Sequence, residues 1–156
     1  MSAVTLVDAV AEAFLAALAG TTGVSDRIFE DRTAPFTKDD APALQVTLRS
    51  GEANTLGDNG PARSILVVDG EIDLAIYTRS AIDAAGAEAS ARSLASPIWA
   101  SAHAKLMLDP SLGGLTNRLR WKRFRFERDG ADGAAGWTVH TYEFRLAMRE
   151  QTLLAP

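Results

Sequence analysis

Cysteine is absent from this chain of 156 residues, which removes disulfides, thiolate metal ligation and thiol nucleophiles by inventory. Histidine is almost as scarce: His103 and His140 are the whole supply, with no HxxxH or HExxH spacing to suggest a metal site. Each reads as a surface or partly buried side chain. No serine stands in a GxSxG elbow, and no GxGxxG or GKS/GKT word is present, so neither nucleophilic catalysis nor nucleotide binding has support. The chain is therefore expected not to be an enzyme and to need no cofactor and no metal. The apolar stretch from Val4 to Ala19 carries Asp8 and Glu12 and has no basic leader, so it is expected to be neither a signal peptide nor a membrane span.

What remains is ordinary globular material. A hydrophobic fraction of 47% over this length fits one domain, residues 1–156, with enough core to fold unaided. The formal charge of −4 conceals an asymmetry. Arg118, Arg120, Lys122, Arg123, Arg125 and Arg128 cluster against the single acid Glu127, leaving the rest of the chain correspondingly acidic.

The spacing of Leu6, Val7, Val10, Phe14, Leu15 and Leu18 predicts an amphipathic helix from Thr5 to Leu18, with Thr5 as N-cap and Gly20 and Gly23 beyond its end. A short strand over Arg27–Glu30 and an exposed loop with Pro35 and Pro42 follow. Leu44, Val46 and Leu48 alternate with polar residues as in a half-buried strand. The stretch from Gly51 to Pro61 reads as a long, mobile connection. Ser64–Val68 and Ile72–Thr78 read as strands, either joined by a hairpin turn at Asp69-Gly70 or continuous through a bulge.

Alanine-rich composition predicts helix from Ser80 to Leu108, with Ile82, Leu94, Ile98, Ala102 and Leu106 buried and a kink or a second start at Ser96-Pro97. Two long strands close the chain, about Leu115–Arg128 and Trp137–Arg149, joined by an Asp/Gly-rich loop. That loop reads as a turn and not as a calcium site, because it lacks further ligands and a bidentate glutamate. Leu119 and Trp121 differ in parity from Phe124 and Phe126; a bulge near Lys122 and Arg123 would bring all four to the core. The expected fold is α+β: a mixed, mostly antiparallel sheet of about four to six strands, two main helices on one face, and a long C-terminal β-hairpin.

Three readings of the basic strand stand side by side. It is a solvated face whose Lys and Arg discourage edge aggregation, an intersubunit or partner-facing salt-bridge surface, or a wall lining a passage for DNA.

The N-terminal helix, Arg27-Ile28-Phe29-Glu30-Asp31-Arg32 leading to Pro35-Phe36, Asp40-Ala41-Pro42-Ala43-Leu44-Gln45-Val46, and Gly51-Glu52-Ala53 follow one another in an order that, with the Pro97 helix and the closing strands bearing Tyr142 and Phe144, resembles the tail terminator family of long noncontractile-tailed phages. Gly113-Gly114-Leu115 and its basic continuation depart from that pattern. The resemblance implies a homo-oligomeric ring, a hexamer, seated on the last ring of tail tube protein, ending polymerisation and presenting a surface to the head-tail connector protein. DNA would pass through the lumen without sequence-specific binding. The protein would be found at the head-proximal end of the virion tail, and in the host cytoplasm during assembly, with no membrane partner. Candidate interface residues are the six cations together with Phe29, Phe36, Glu52, Asn54, Leu56 and Asp58. The alternatives are another head-tail joining protein, such as a neck stopper or tail completion protein, and a DNA-binding module.

Overall fold

The structure, a computed structural model, describes residues 3–56, 65–82, 88–129 and 133–149. Helix α1 (Ala3–Ala17) is followed by strand β1 (Ile28–Glu30), a single 3₁₀ turn (Lys38–Asp40), β2 (Ala43–Leu56), β3 (Ile65–Arg79), β4 (Ala81–Ile82), β5 (Glu88–Ala89), α2 (Ala91–Leu108), β6 (Arg120–Arg128) and β7 (Ala135–Arg149). Five strands form one sheet in the order β1-β2-β3-β7-β6, with β1 parallel to β2 and every other pair antiparallel. β4 and β5 pair separately.

Strand alternation divides the sheet into two unlike faces. Leu44, Val46, Ile72, Leu74, Ile76, Tyr142, Phe144 and Leu146 point one way and form the main core with Val10, Phe14 and Leu18 of α1 and Ala95, Ile98, Ala102 and Leu106 of α2. Both helices therefore lie on one face, and the expected α+β architecture with its C-terminal hairpin β6–β7 is the observed one. On the other face a smaller cluster of Ala43, Tyr77 and Ala135 packs with Phe29, Phe36 and Trp137.

Several boundaries differ from expectation, each for a physical reason. α1 already runs through Thr5, so that residue lies within the first turns and does not cap them. The exit from the helix is as expected: Gly20 and Gly23 take φ of +79° and +92°, where a side chain would be strained.

The largest correction concerns Gly51–Pro61. Residues 51–56 are not a loop but the distal part of β2, in register with Ile65–Gly70 of β3, and 57–61 lie outside the described residues. Glycine and asparagine lower strand propensity, but pairing to a long neighbour supplies the hydrogen bonds that propensity does not count. Of the two readings of Asp69-Gly70, the continuous strand is the observed one: Gly70 makes no hairpin turn but sits inside β3, opposite Phe144 of β7. A Cβ there would overlap the Phe144 ring, so the glycine answers to a close approach across strands and not to a turn. The irregularity of this pair falls instead on β2, between Leu48 and Ser50.

The expected helix from Ser80 begins only at Ala91. Ala81–Ile82 pair with Glu88–Ala89, and the Ser90 hydroxyl accepts from the Ser93 amide as the N-cap. Residues 83–87, and the side chain of Ile82, lie outside what is described. Pro97 stands inside one uninterrupted helix, with Ser96 and Pro97 on its exposed side, where water can reach the carbonyl that proline leaves unpaired. Ile98, Ala102 and Leu106 are buried as expected, but Leu94 is only half-buried. The last long strand but one starts at Arg120, not Leu115. Before it, the Asp109 carboxylate accepts from the Ser111 and Gly113 amides and closes the end of α2 into tight turns.

Candidate interaction surface on the edge strand

β6 is the last strand of the sheet, so one side of its backbone has no strand neighbour among the described residues. Its register against β7 slips between Trp121 and Arg123, at the expected place for a bulge. The slip brings Trp121, Phe124 and Phe126 opposite Tyr142, His140 and Thr138, all on the helix-covered face. Only Leu119 reaches the core, however. Trp121 and Phe124 keep 43% and 59% of their surface exposed, because the outermost strand lies beyond the cover of α2. Their rings stack with centroids 6.2 Å apart and planes inclined by 12°. Phe126 lies over Gly136, where an added Cβ would come within 2.6 Å of the ring.

Beneath this ledge is a polar aromatic cluster that sequence reasoning passed over. Trp99 of α2 stacks on His140 at 4.6 Å, and the Trp121 indole N–H donates to His140 Nδ1 at 3.2 Å. An indole only donates, so His140 Nδ1 must carry a lone pair and the ring is neutral. Burial pushes the His140 imidazole down to about 4, with the nearby His103 adding to the effect. The Trp99 N–H donates to the Tyr142 hydroxyl, which also shares a 2.7 Å hydrogen bond with His103 Nδ1. Burial raises Tyr142 to about 12 and lowers His103. The i, i+4 spacing of Trp99 and His103 and the shared strand parity of His140 and Tyr142 were the available signals.

Apart from Arg128, which shares the parity of Phe124 and Phe126, the basic residues of β6 lie toward the opposite, helix-free face, and there they meet carboxylates. Lys122 binds Glu71 and lies 4.0 Å from Glu143; Arg123 reaches Glu71 at 3.0 Å. Arg125 pairs with Glu127 at 2.6 Å and with Asp73 at 3.6 Å, and Arg120 stands 3.6 Å from Glu143. Arg49 and Arg145 extend the pattern to Asp73 and Asp69. Hydrogen bonding by Lys122 holds the Glu71 carboxyl below its ordinary range, and that by Arg145 does the same for Asp69. Asp73 is buried and also accepts from the Thr141 hydroxyl at 2.6 Å. The run of cations is thus largely answered within the fold by β3 and β7. Arg118 and Arg128, at the two ends of the run, are exposed and form no ion pair with a described residue.

The remaining candidate residues are not gathered here. Phe29 is on the far edge strand β1 and Phe36 packs over the helix-free face; both are half-buried, with their rings 5.5 Å apart and the Arg32 guanidinium over both. Phe36 also meets Trp137 at 4.7 Å. Glu52 is exposed on β2 opposite Asp69; Asn54 and Leu56 continue that strand opposite Val67 and Ile65; Asp58 lies outside the described residues.

A shallow depression of about 640 Å³ on the helix-free face is lined by Glu52, Asp69, Glu71, Arg118, Arg120 and Glu143 among others. Its charges are mixed and mostly paired, a poor setting for a nucleophile or a single anion. Among the described residues no group of three or more acidic or histidine side chains could hold a metal ion, and no helix is long and apolar enough to cross a membrane.

No protein-family model matches the chain, and no curated protein matches it. Among solved structures, a chain of the virion of the native gene transfer agent particle is similar over 86% of this chain and 84% of its own length, with 14% identity and a TM-score of 0.43.

Proposed function

We propose that this chain, acting as one domain, is a structural protein of a tailed-phage particle: a tail terminator that forms a ring on the end of the tail tube, ends its polymerisation and offers a surface to the head. The observation that carries the proposal is the edge strand β6. Its aromatic ledge is exposed, while the polar groups beneath satisfy one another, so the surface is fitted to adhesion and not to chemistry. The order of elements, helix, strands, helix and closing hairpin, agrees with what the sequence resemblance implies. The two edge strands differ in length and charge, β1 being Ile28-Phe29-Glu30 and β6 a longer, mostly basic strand, as suits a repeated head-to-tail contact.

Removal of this chain from the particle, followed by negative-stain electron microscopy, tests the reading. Overlong tails are the expected outcome. Headless tails of normal length assign the chain to a neck stopper or completion role instead, and particles unchanged in both respects overturn the proposal.

A further inference from the structure

Two unlike exposed surfaces could meet in such a ring, one along the edge strand β6 and one formed by β1 and the loop that follows it. At the β6 edge, Trp121 and Phe124 form a stacked aromatic ledge, with the exposed cations Arg118 and Arg128, unpaired among the described residues, at the two ends of the basic run. Around β1 and the loop that follows it the exposed charges are mostly acidic, with Lys38 an exposed cation among them. Asp26, Glu30, Asp31 and Asp39 are exposed and form no ion pair among the described residues, and between them the loop presents the small apolar step Ala34-Pro35. The arginines nearby are already engaged. Arg27 donates to the Pro42 carbonyl, and Arg32 is clamped between Phe29 and Phe36 with its guanidinium on Asp40. The Arg32–Asp40 pair ties the loop down, so its proline step is held in place before any partner arrives.

We propose that the Trp121–Phe124 ledge of one copy packs on the Ala34-Pro35 step of a second copy, with the carboxylates around that step facing the cations at the ends of β6. The contact rests on the ring reading above and names its interface. Flat rings against a proline and an alanine bury apolar area at small conformational cost, and the surrounding unlike charges fix the register. Side-chain packing, and not strand addition, forms the joint, because the bulge at Trp121–Arg123 and the basic side chains oppose a regular β ladder on that edge. Since the two patches are different, each copy uses one of each, and the contact propagates.

The absence of cysteine makes the test direct. Phe124→Cys and Ala34→Cys are prepared as separate proteins, mixed, and treated with a short bismaleimide. The expected product is a crosslinked pair containing one of each variant, with little from either alone. Trp121→Ser combined with Phe124→Ser should weaken self-association at least about tenfold, read by analytical ultracentrifugation, while the thermal transition is retained. Crosslinking of Phe124→Cys to itself, or to added tail tube protein in preference to Ala34→Cys, overturns the assignment. So does a sample that stays oligomeric without any crosslink, and in that case the ring reading survives. A wild-type protein that remains single-copy at every concentration, alone and with tail tubes, overturns both.

Discussion

The two faces of the five-stranded sheet are made by the same strands, yet they are held in different ways. Under the helices, Ile72, Leu74 and Ile76 are fully buried and pack with α1, α2 and β7. On the other face, their strand neighbours Glu71 and Asp73 sit in a lattice of six cations and five carboxylates spread over β2, β3, β6 and β7. The first face excludes water. The second keeps most of its charges half-exposed, so each pair contributes little and the lattice acts mainly to fix register. A run of arginines in a sequence therefore need not be a free positive surface; alternation on neighbouring strands can cancel it.

The sharpest way to break the comparison is to delete one side chain from the apolar face. Leu74→Ala should cost about 3 kcal/mol in urea denaturation, since a buried leucine is lost and the surrounding β-sheet cannot collapse into the space. A cost below about 1 kcal/mol would mean that this face is loosely packed.

Acid should act on the helix-covered face, at the buried His140. Its folded value of about 4 lies below the ordinary 6.5, so the fold favours the neutral ring. Stability from this group is complete above pH 6.5 and falls as the pH drops toward 4, because the unfolded chain takes up the proton first; the loss is at most roughly 3 kcal/mol. His140→Gln can still accept from Trp121 and should flatten this part of the pH profile, as measured by thermal unfolding between pH 7 and 4. An unchanged slope would assign the acid sensitivity elsewhere.

The smallest effect is expected on the charged face. Glu71→Gln removes the partner of both Lys122 and Arg123, yet should change stability by less than about 1 kcal/mol, and by less still in high salt. A loss as large as that of Leu74→Ala would erase the distinction between the two faces.

Periodicity carried the parts of the fold in which burial repeats. The apolar spacing of α1, the alternation of Leu44 and Val46, and the common parity of His140, Tyr142 and Phe144 all point to the face on which the structure places them. The mismatch between Leu119–Trp121 and Phe124–Phe126 was enough to locate the bulge. Composition misled where it was read without neighbours. Gly51–Leu56 looks like a loop until β3 pairs with it, Gly70 looks like a turn until Phe144 covers it, and the alanines after Ser80 look helical until Ser90 supplies the cap. The candidate site was legible in its charges and its aromatic residues but not in their exposure: Trp121 and Phe124 have core identity and core parity, yet lie on the outermost strand.

By itself the sequence determined which residues share a face, that sheet and helices would be layered, and that thiol chemistry has no material here. Only the tertiary structure decided strand order, and with it that β6 is an edge of the described sheet, that most of its cations are met by Glu71, Asp73 and Glu143, and that Trp121 and Phe124 stay exposed. The physical reason is one of range. Side-chain alternation is set between adjacent residues along a strand, whereas exposure and charge pairing depend on which distant segment hydrogen-bonds alongside, or on whether any does.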